Sequence, residues 1–278
     1  GSANQGAAGN SIAHTGGGGG GAGWDGTGSG GASGIVLVRY DITNQATSSP
    51  EPKNIWVDAQ GTEVKLTSND ADVDDNFGIA VGLSGNTAII GAHLEDEGGA
   101  EAGAAYIFEK SGSTWNQQAK LIAADAAAQD NFGTSVAMSA NIAVIGAPND
   151  AHATLTGSAY VFERSGSSWT EQTKLLSTGG TSGDEFGTSI GIDGNTVVVG
   201  APKKDSDAGA AYVFVGSGAS WPQESQLVPT GGLTAGDNFG NSTRISGDSI
   251  IVGSPFDGDG GANAGAAYIF TRTASVWS

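Results

Sequence analysis

The side chains of this chain that could do chemistry are mainly carboxylates in predicted loops. Carboxylate oxygens are hard ligands of the kind that Ca²⁺ takes in proteins. An EF-hand is excluded, because the position that would supply its bidentate glutamate, counted from Asp70, is Val81. Two interpretations stay open for these acids, solvated turn residues and calcium sites. The candidate calcium ligands are Asp70, Asp72, Asp74, Asp205, Asp207, Asp257 and Asp259.

Two motifs of enzyme or nucleotide sites occur, and neither has the context that it needs. Gly187–Gly191 matches the Gly-x-Ser-x-Gly of hydrolase nucleophiles, but no strand-to-helix turn surrounds it, and a related segment holds Gly133–Ala137. Gly21–Gly26 matches Gly-x-Gly-x-x-Gly without a preceding strand or a following helix. We therefore predict no catalytic residues and no nucleotide-binding residues.

The elements that position the acidic loops are four copies of one unit, beginning near residues 75, 130, 184 and 237. A fixed period of this size indicates a repeat architecture, in which each unit buries its apolar faces against its neighbours. Functional loops should therefore recur at equivalent positions. The units are marked by the pairs Phe77-Gly78, Phe132-Gly133, Phe186-Gly187 and Phe239-Gly240.

Each unit contains four predicted strands, and the second unit shows them best. They are Phe132–Ser139, Asn141–Ala147, Gly157–Glu163 and Gln172–Leu176. The alternation of small and apolar side chains and the turn residues between the runs favour strands. Four antiparallel strands repeated radially describe a propeller blade. We therefore predict an all-β fold, a β-propeller of four-stranded antiparallel blades.

The recurring residues resemble a known family. The Phe-Gly pairs, the Gly-Ala-Pro at Gly146–Pro148 and Gly200–Pro202, and the Tyr-x-Phe strand are similar to FG-GAP repeats, the blades of the integrin α-subunit-like β-propeller, in a bacterial-type variant. The resemblance covers roughly residues 60 to 278. It implies an extracellular propeller used for adhesion, ligand binding or surface structure, usually without catalysis. The family's calcium loop is not carried over, because the corresponding turns, such as Ser84–Asn86, are too short.

The number of blades follows from the strand count. Rings of this family commonly have seven blades, whereas four Phe-Gly strands are present here. The last unit stops at Trp277, before its outer strand, and Glu63–Leu66 is predicted to supply that strand and so to join the two ends of a four-bladed ring. A five-bladed ring, or one completed by another chain, is the alternative. Residues 35–278 then form the propeller, and 35–66 hold its N-terminal strands.

Residues 1–34 form a glycine-rich arm or linker that precedes a spare apolar strand, Ile35–Tyr40. An unpaired sheet edge together with a segment able to pair with it invites strand addition between molecules. Docking of the same strand within its own chain is the alternative. The residues expected to take part in assembly are Gly16, Gly21, Trp24, Ile35, Val36, Leu37, Val38 and Tyr40.

Composition narrows the choice of partners. With 29 acidic and 11 basic residues, the formal charge of −18 disfavours nucleic acid and anionic membranes, and no apolar run is long enough for membrane insertion. We expect a non-enzymatic extracellular or cell-surface structural or adhesive protein that self-assembles through its N-terminal arm into a fibre or surface layer. A monomeric module of a larger adhesin that binds a glycan or protein ligand is the alternative, followed by a propeller hydrolase or lyase. Calcium is the one cofactor that the acids suggest.

Overall fold

The computed structural model describes residues 36–37, 63–151, 156–274 and 276–278. Most of the predicted N-terminal arm and assembly segment therefore lies outside the described residues. Those predicted assembly residues are Gly16, Gly21, Trp24, Ile35, Val38 and Tyr40.

The described residues form four antiparallel sheets of four strands, each with its strands in chain order, as the sequence predicts. Blade 1 comprises β3 (Val81–Ser84), β4 (Thr87–Ala92), β5 (Ala104–Ser111) and β6 (Thr114–Leu121). Blade 2 comprises β7 (Ser135–Ser139), β8 (Ile142–Ala147), β9 (Ser158–Ser165) and β10 (Ser168–Leu175).

Blades 3 and 4 repeat this arrangement. Blade 3 comprises β11 (Ser189–Asp193), β12 (Thr196–Ala201), β13 (Ala210–Val215) and β14 (Gln223–Leu227). Blade 4 comprises β15 (Ser242–Ser246), β16 (Ser249–Ser254), β17 (Ala266–Thr273) and the short β18 (Val276–Trp277). The helix in the described residues is the four-residue α1 (Lys204–Asp207), and no described helix has the length and apolar character needed to cross a bilayer.

In blades 1 to 3, the second strand is a short apolar run covered on both faces. In blade 3, every residue of Thr196–Ala201 is buried. A continuous apolar run of this length, rich in β-branched residues, favours a strand buried on two sides. Pro148 and Pro202 follow two of these strands and end them, because proline cannot donate a hydrogen bond to the ladder.

The core lies between blades. Each Phe of a Phe-Gly pair is buried and meets the Tyr and Phe of the third strand edge to face; the ring of Phe186 lies 5.7 Å from that of Tyr212 and 5.9 Å from that of Phe214. The same cluster includes Val161 and Leu175 of the preceding blade. The prediction that the repeated phenylalanines are buried at equivalent positions is confirmed.

Glycines let successive blades approach within backbone contact. A Cβ atom on Gly146 would lie 2.0 Å from the carbonyl oxygen of Gly187 in the next blade. Gly187 itself has φ of 101°, in the region that side chains disfavour. Any larger residue at either position would force the two blades apart.

The N-terminal strands do not close a ring in the described residues. β1 (Val36–Leu37) pairs with β2 (Lys65–Leu66) in antiparallel fashion, with Val36 opposite Leu66. β2 lies within the predicted closure strand Glu63–Leu66, whereas β18 pairs only with Arg272 and Thr273 at the end of β17. Among the described strands, none lies beside Ala266–Phe270 on the outer side of β17, so closure of the ring by Glu63–Leu66 stays a prediction.

The inner strands of successive blades contact one another, β3 with β7, β7 with β11 and β11 with β15. Across the described part of the chain, no contact of comparable extent joins β15 back to β3. The four blades therefore form an open series, with one face of blade 1 and one face of blade 4 at its ends.

Candidate functional site

Each blade carries a polar cluster around the tyrosine of its third strand, and blade 2 shows its full form. The hydroxyl oxygen of Tyr160 lies 2.8 Å from Asp125 and 2.7 Å from Asp150, and its one proton can be donated to either carboxylate. The ammonium of Lys174 lies 2.8 Å from Asp125 and 2.5 Å from Asp150, and 5.1 Å from the centre of the Tyr160 ring. One cation and one hydroxyl thus hold two carboxylates together.

Three elements bring this cluster together. Asp125 follows the outer strand of blade 1, Asp150 follows β8, and Lys174 lies on β10. The side chain of Asp150 is fully buried, and a buried carboxylate needs a cation and hydrogen bonds to stay ionised. The cluster therefore ties the loops of two neighbouring blades.

The pKa shifts describe a fixed ion cluster. Burial tends to raise the pKa of Asp125, but the hydrogen bonds from Lys174 and Tyr160 outweigh it and lower that pKa. Burial and the hydrogen bond to Asp150 raise the pKa of Tyr160, and the two carboxylates hold the pKa of Lys174 above its usual value despite burial. At neutral pH Asp125 and Lys174 therefore stay charged and Tyr160 stays neutral.

Blade 1 has the same cluster with three carboxylates. Lys120 Nζ lies 2.6 Å from Asp70, 2.8 Å from Glu95 and 2.6 Å from Glu97. Their oxygens come within 4.8 Å of one another, as metal ligands would. The ammonium of Lys120 already bonds all three, so a calcium ion at Asp70 would have to displace it.

Blade 3 keeps a cation but takes it from a different element. The places of the two aspartates and the lysine of blade 2 are held by Gly179, Lys204 and Gln226. Lys204 is buried, donates to the carbonyl of Gly179 at 3.3 Å, and lies 3.9 Å from Asp184 and 3.5 Å from Asp205. Positive charge is thus retained where the pattern of the other blades predicts an acid.

Two predicted calcium ligands lie beside this lysine, in α1. Asp205, Ser206 and Asp207 have φ values of 53°, 61° and 65°, so this turn is left-handed. Asp205 pairs with Lys204, and Asp207 lies 3.9 Å from Lys203. Both carboxylates thus face ammonium groups of their own loop.

Blade 4 holds the remaining predicted pair. Asp257 is buried and accepts hydrogen bonds from the hydroxyl of Tyr268 and, at 3.0 Å, from the backbone N–H of Asp259. The bond to Asp257 raises the pKa of Tyr268 to about 12. Asp259 thus contributes a backbone group to this contact.

Asp72 and Asp74 stand apart from these clusters. The carboxylate of Asp72 accepts the N–H of Val73 at 2.7 Å, and Asp74 has φ of 69° within the same loop. The predicted ligands therefore fall into separate loops of blades 1, 3 and 4, and the structure does not bring them into one site.

Sequence reasoning missed the aspartate two places before each repeated phenylalanine. All four are buried, and each accepts the backbone N–H of the residue three places earlier, at 2.6–2.8 Å. They close the turn that leads into the Phe-Gly pair. Their constant distance from that pair was visible in the sequence. They are Asp75, Asp130, Asp184 and Asp237.

Sequence reasoning also did not predict that lysines pair with the acids of the tyrosine clusters. Their signal was the position of a lysine opposite the tyrosine in the fourth strand, as in the pairs Tyr106 with Lys120 and Tyr160 with Lys174. Lys204 could not be found in this way, because the equivalent residues of blades 1 and 2 are the acids Glu95 and Asp150.

Comparison with known proteins agrees with the number of repeats. The model of the FG-GAP repeat matches four segments, residues 61–108, 115–162, 169–214 and 221–270. The crystal structure of the Saccharomyces cerevisiae Sqt1 aligns with 66% of this chain and 44% of its own chain, at 10% sequence identity and a TM-score of 0.41. This chain thus spans less than half the length of that protein.

Proposed function

Because the chain belongs to the FG-GAP repeat family, we propose that it is a non-enzymatic structural or adhesive protein that works outside the cell or at its surface. FG-GAP repeats are found in adhesion and ligand-binding propeller modules. The proposal places this chain among the modules whose loops and blade faces make contacts with other macromolecules.

The observation that supports this proposal is the repeated use of buried charges as ties between loops. Acid-base catalysis needs titratable groups in one pocket whose environments set their pKa values apart. In the described parts of blades 1 and 2, the carboxylates instead pair with Lys120 and Lys174 at equivalent positions. The clusters of blades 1 and 2 therefore fit a structural role, in which paired charges hold neighbouring loops together.

We further propose that copies of the chain associate through residues 1–40 into a fibre or surface layer. Val36 and Leu37 pair with β2 of the same chain, so association between copies would use the other residues of the arm. A monomeric module that binds a surface glycan or protein ligand is the alternative. Calcium in the acidic loops stays a prediction.

Light scattering and negative-stain electron microscopy of the whole chain over a range of concentrations test the proposal. We expect polymers for the whole chain, and folded protein without polymers once residues 1–40 are deleted. Circular dichroism of the shortened chain is the control for folding. A whole chain that stays monomeric at every concentration would contradict self-assembly and favour the ligand-binding module.

A further inference from the structure

The two end faces of the blade series are the two halves of the contact that joins successive blades. Within the series, Val198 and Val213 of blade 3 are completely buried by Ile250 and Phe239 of blade 4. The places of the two valines in blade 4 are held by Ile251 and Ile269, which are 44% and 68% exposed. Blade 4 thus leaves exposed an apolar face whose equivalent is buried in each of the other three blades.

Blade 4 also keeps two glycines that serve close approach. In blade 3, a Cβ on Gly200 would lie 1.9 Å from the carbonyl oxygen of Gly240, and a Cβ on Gly209 would lie 2.1 Å from that of Phe239. The equivalent residues of blade 4 are Gly253 and Gly265. The described atoms nearest to their Cβ positions belong to blade 4 itself. We call Ile251, Ile269, Gly253, Gly265 and Ser246 the blade 4 face.

Blade 1 presents the matching half. Gly78 has φ of 100°, against 93° for Gly240, so the first Phe-Gly pair has the backbone form of the docked ones. Val81 and Leu83 are 52% and 54% exposed, although the equivalent residues of blade 2 are buried. We call Phe77-Gly78, Val81, Leu83 and the turn at 85–86 the blade 1 face.

The hydrogen-bonding groups match as well. Between blades 3 and 4, Phe239 N–H donates to the carbonyl of Ala208 at 3.0 Å, and Gly247 N–H donates to Asp193 at 2.6 Å. The equivalent donor on the blade 1 face is Phe77 N–H, and the equivalent acceptor in blade 4 is the carbonyl of Ala264. Neither has a hydrogen-bond partner among the described residues.

We propose that the blade 4 face of one copy docks on the blade 1 face of a second copy and repeats the contact between blades, taking the place beside Phe77 that Leu66 of the β1–β2 hairpin holds in the single chain. A second copy is the occupant because it carries a face that already has the Phe-Gly segment, the exposed apolar residues and the donor that this site lacks. Two copies of the four blades give a ring within the roughly 4–8 blades that propellers have.

One position makes this contact weaker than those within the chain. Arg244 stands where the other blades have Gly82, Ala137 and Gly191, and Gly191 lies so close to the next blade that its Cβ would be 3.2 Å from Arg244 Cα. The larger side chain limits the approach of a second copy. Arg244→Gly should therefore lower the concentration at which copies associate. A variant that needs a higher concentration than the parent chain would contradict the proposed contact.

The inference rests on the proposed self-assembly and concerns a contact separate from the N-terminal arm. The chain has no cysteine, so single cysteines can report which faces meet. Within the chain, the side chain equivalent to Ser246 accepts a hydrogen bond from the turn equivalent to 85–86. Mixed Ser246→Cys and Asn86→Cys chains should therefore crosslink with a short thiol reagent.

Two controls define the background of this experiment. Ser246→Cys mixed with Ser113→Cys, an exposed residue in the β5–β6 turn, should crosslink only at the rate of random collision, and so should Ser246→Cys alone. Equal yields for the Asn86 and Ser113 pairs would overturn the proposal.

A glycine variant tests the contact without adding a charge. Within its own copy, the methyl group that Gly253→Ala adds meets only the rotatable hydroxyl of Ser242. The chain should therefore fold with an unchanged melting temperature. In the docked copy the methyl group would strike the Gly78 carbonyl, and crosslinking should be lost. Gly258→Ala, in open space in blade 4, should crosslink like the parent chain.

The outcomes separate this inference from the proposed function. Polymers that need residues 1–40 but show no crosslink specific to Asn86 would leave the proposed function in place and remove this interface. A specific crosslink that Gly253→Ala abolishes would establish the interface, whether or not the arm also forms fibres.

Discussion

At the scale of single residues, the repeated phenylalanines are large, buried side chains of the core. Each lies at 0–4% exposure in contact with a Tyr and a Phe of its own blade, and Phe132, Phe186 and Phe239 also pack against the preceding blade. Edge-to-face contacts add to the free energy of burying such large apolar surfaces. Loss of one ring would leave a cavity between two blades that neither can fill.

Phe186→Ala should therefore lower the free energy of unfolding by about 3–5 kcal/mol. Phe256→Ala is the matched control, because Phe256 is 51% exposed and its replacement should change stability by no more than about 0.5 kcal/mol. Chemical denaturation of both variants measures the difference. Equal midpoints for Phe186→Ala and the parent chain would refute the account of the core.

The charge of Lys120 also acts at the residue scale. Replacing it with glutamine would leave the carboxylates of Asp70, Glu95 and Glu97 close together without their cation. We expect a loss of about 2 kcal/mol, because a hydrogen-bonded charge is removed from a partly exposed cluster.

Calcium should restore much of this loss, because the three groups then offer oxygen ligands to a hard cation. Thermal melts of Lys120→Gln with Ca²⁺ and with chelator measure the effect, and Lys65→Gln, at the equivalent place in β2, is the control. If Ca²⁺ raises the melting temperature of the parent chain as much as that of the variant, Lys120 does not occupy a potential cation site.

At the scale of elements, the turn before each Phe-Gly pair has an asparagine in three repeats and Glu185 in the third. The residue before each phenylalanine has φ near 55°, a conformation that asparagine accepts more readily than other side chains. Asn131 and Asn238 also donate to carbonyls of the preceding blade, those of His93 and Pro202. Blade 3 has Glu185 at this place, which cannot donate when ionised.

Glu185→Asn should stabilise the chain by about 1 kcal/mol at neutral pH, because it relieves left-handed strain and can donate to the Pro148 carbonyl. Burial raises the pKa of Glu185 above 4.5, so its ionised form costs stability in the folded chain. That cost is present above the raised pKa and disappears as the pH falls towards 4.5.

The advantage of Glu185→Asn should therefore shrink on acidification. Unfolding measured at neutral and mildly acidic pH tests this, with Glu185→Gln separating the charge from the backbone effect. An advantage that grows as the pH falls would show that the carboxylate stabilises this turn.

At the scale of the whole molecule, each blade depends mainly on its neighbours. The hydrophobic clusters each span two successive elements of the series, and a sum of such contacts sets the stability of repeat proteins. The formal charge of −18 acts against the association of copies.

Association between copies should therefore strengthen as salt is added, because screening weakens repulsion between like-charged molecules while apolar contacts persist. Sedimentation of the whole chain at low and at physiological ionic strength measures this. Association that weakens with salt would indicate contacts between opposite charges in place of the apolar faces.

The sequence by itself determined the blades. The spacing of Phe-Gly pairs, apolar runs and Tyr-x-Phe strands depends on local periodicity and on contacts between adjacent units, so the four sheets could be predicted with nearly correct strands. The burial of Phe186 followed from the same repetition. These features depend only on contacts within one unit and with the adjacent unit, so the repeated sequence is enough to predict them.

Only the tertiary structure decided how the charges pair and how the series ends. Asp70 meets Lys120 across distant positions, and Lys204 supplies from a loop the cation that a strand supplies in blade 2, so spacing alone could not reveal either pairing. Closure through Glu63–Leu66 was expected from strand counting, but among the described strands β2 pairs with β1 and not with β17. Ring closure depends on the accumulated angle between blades, which arises from side-chain packing and is not encoded in any single repeat.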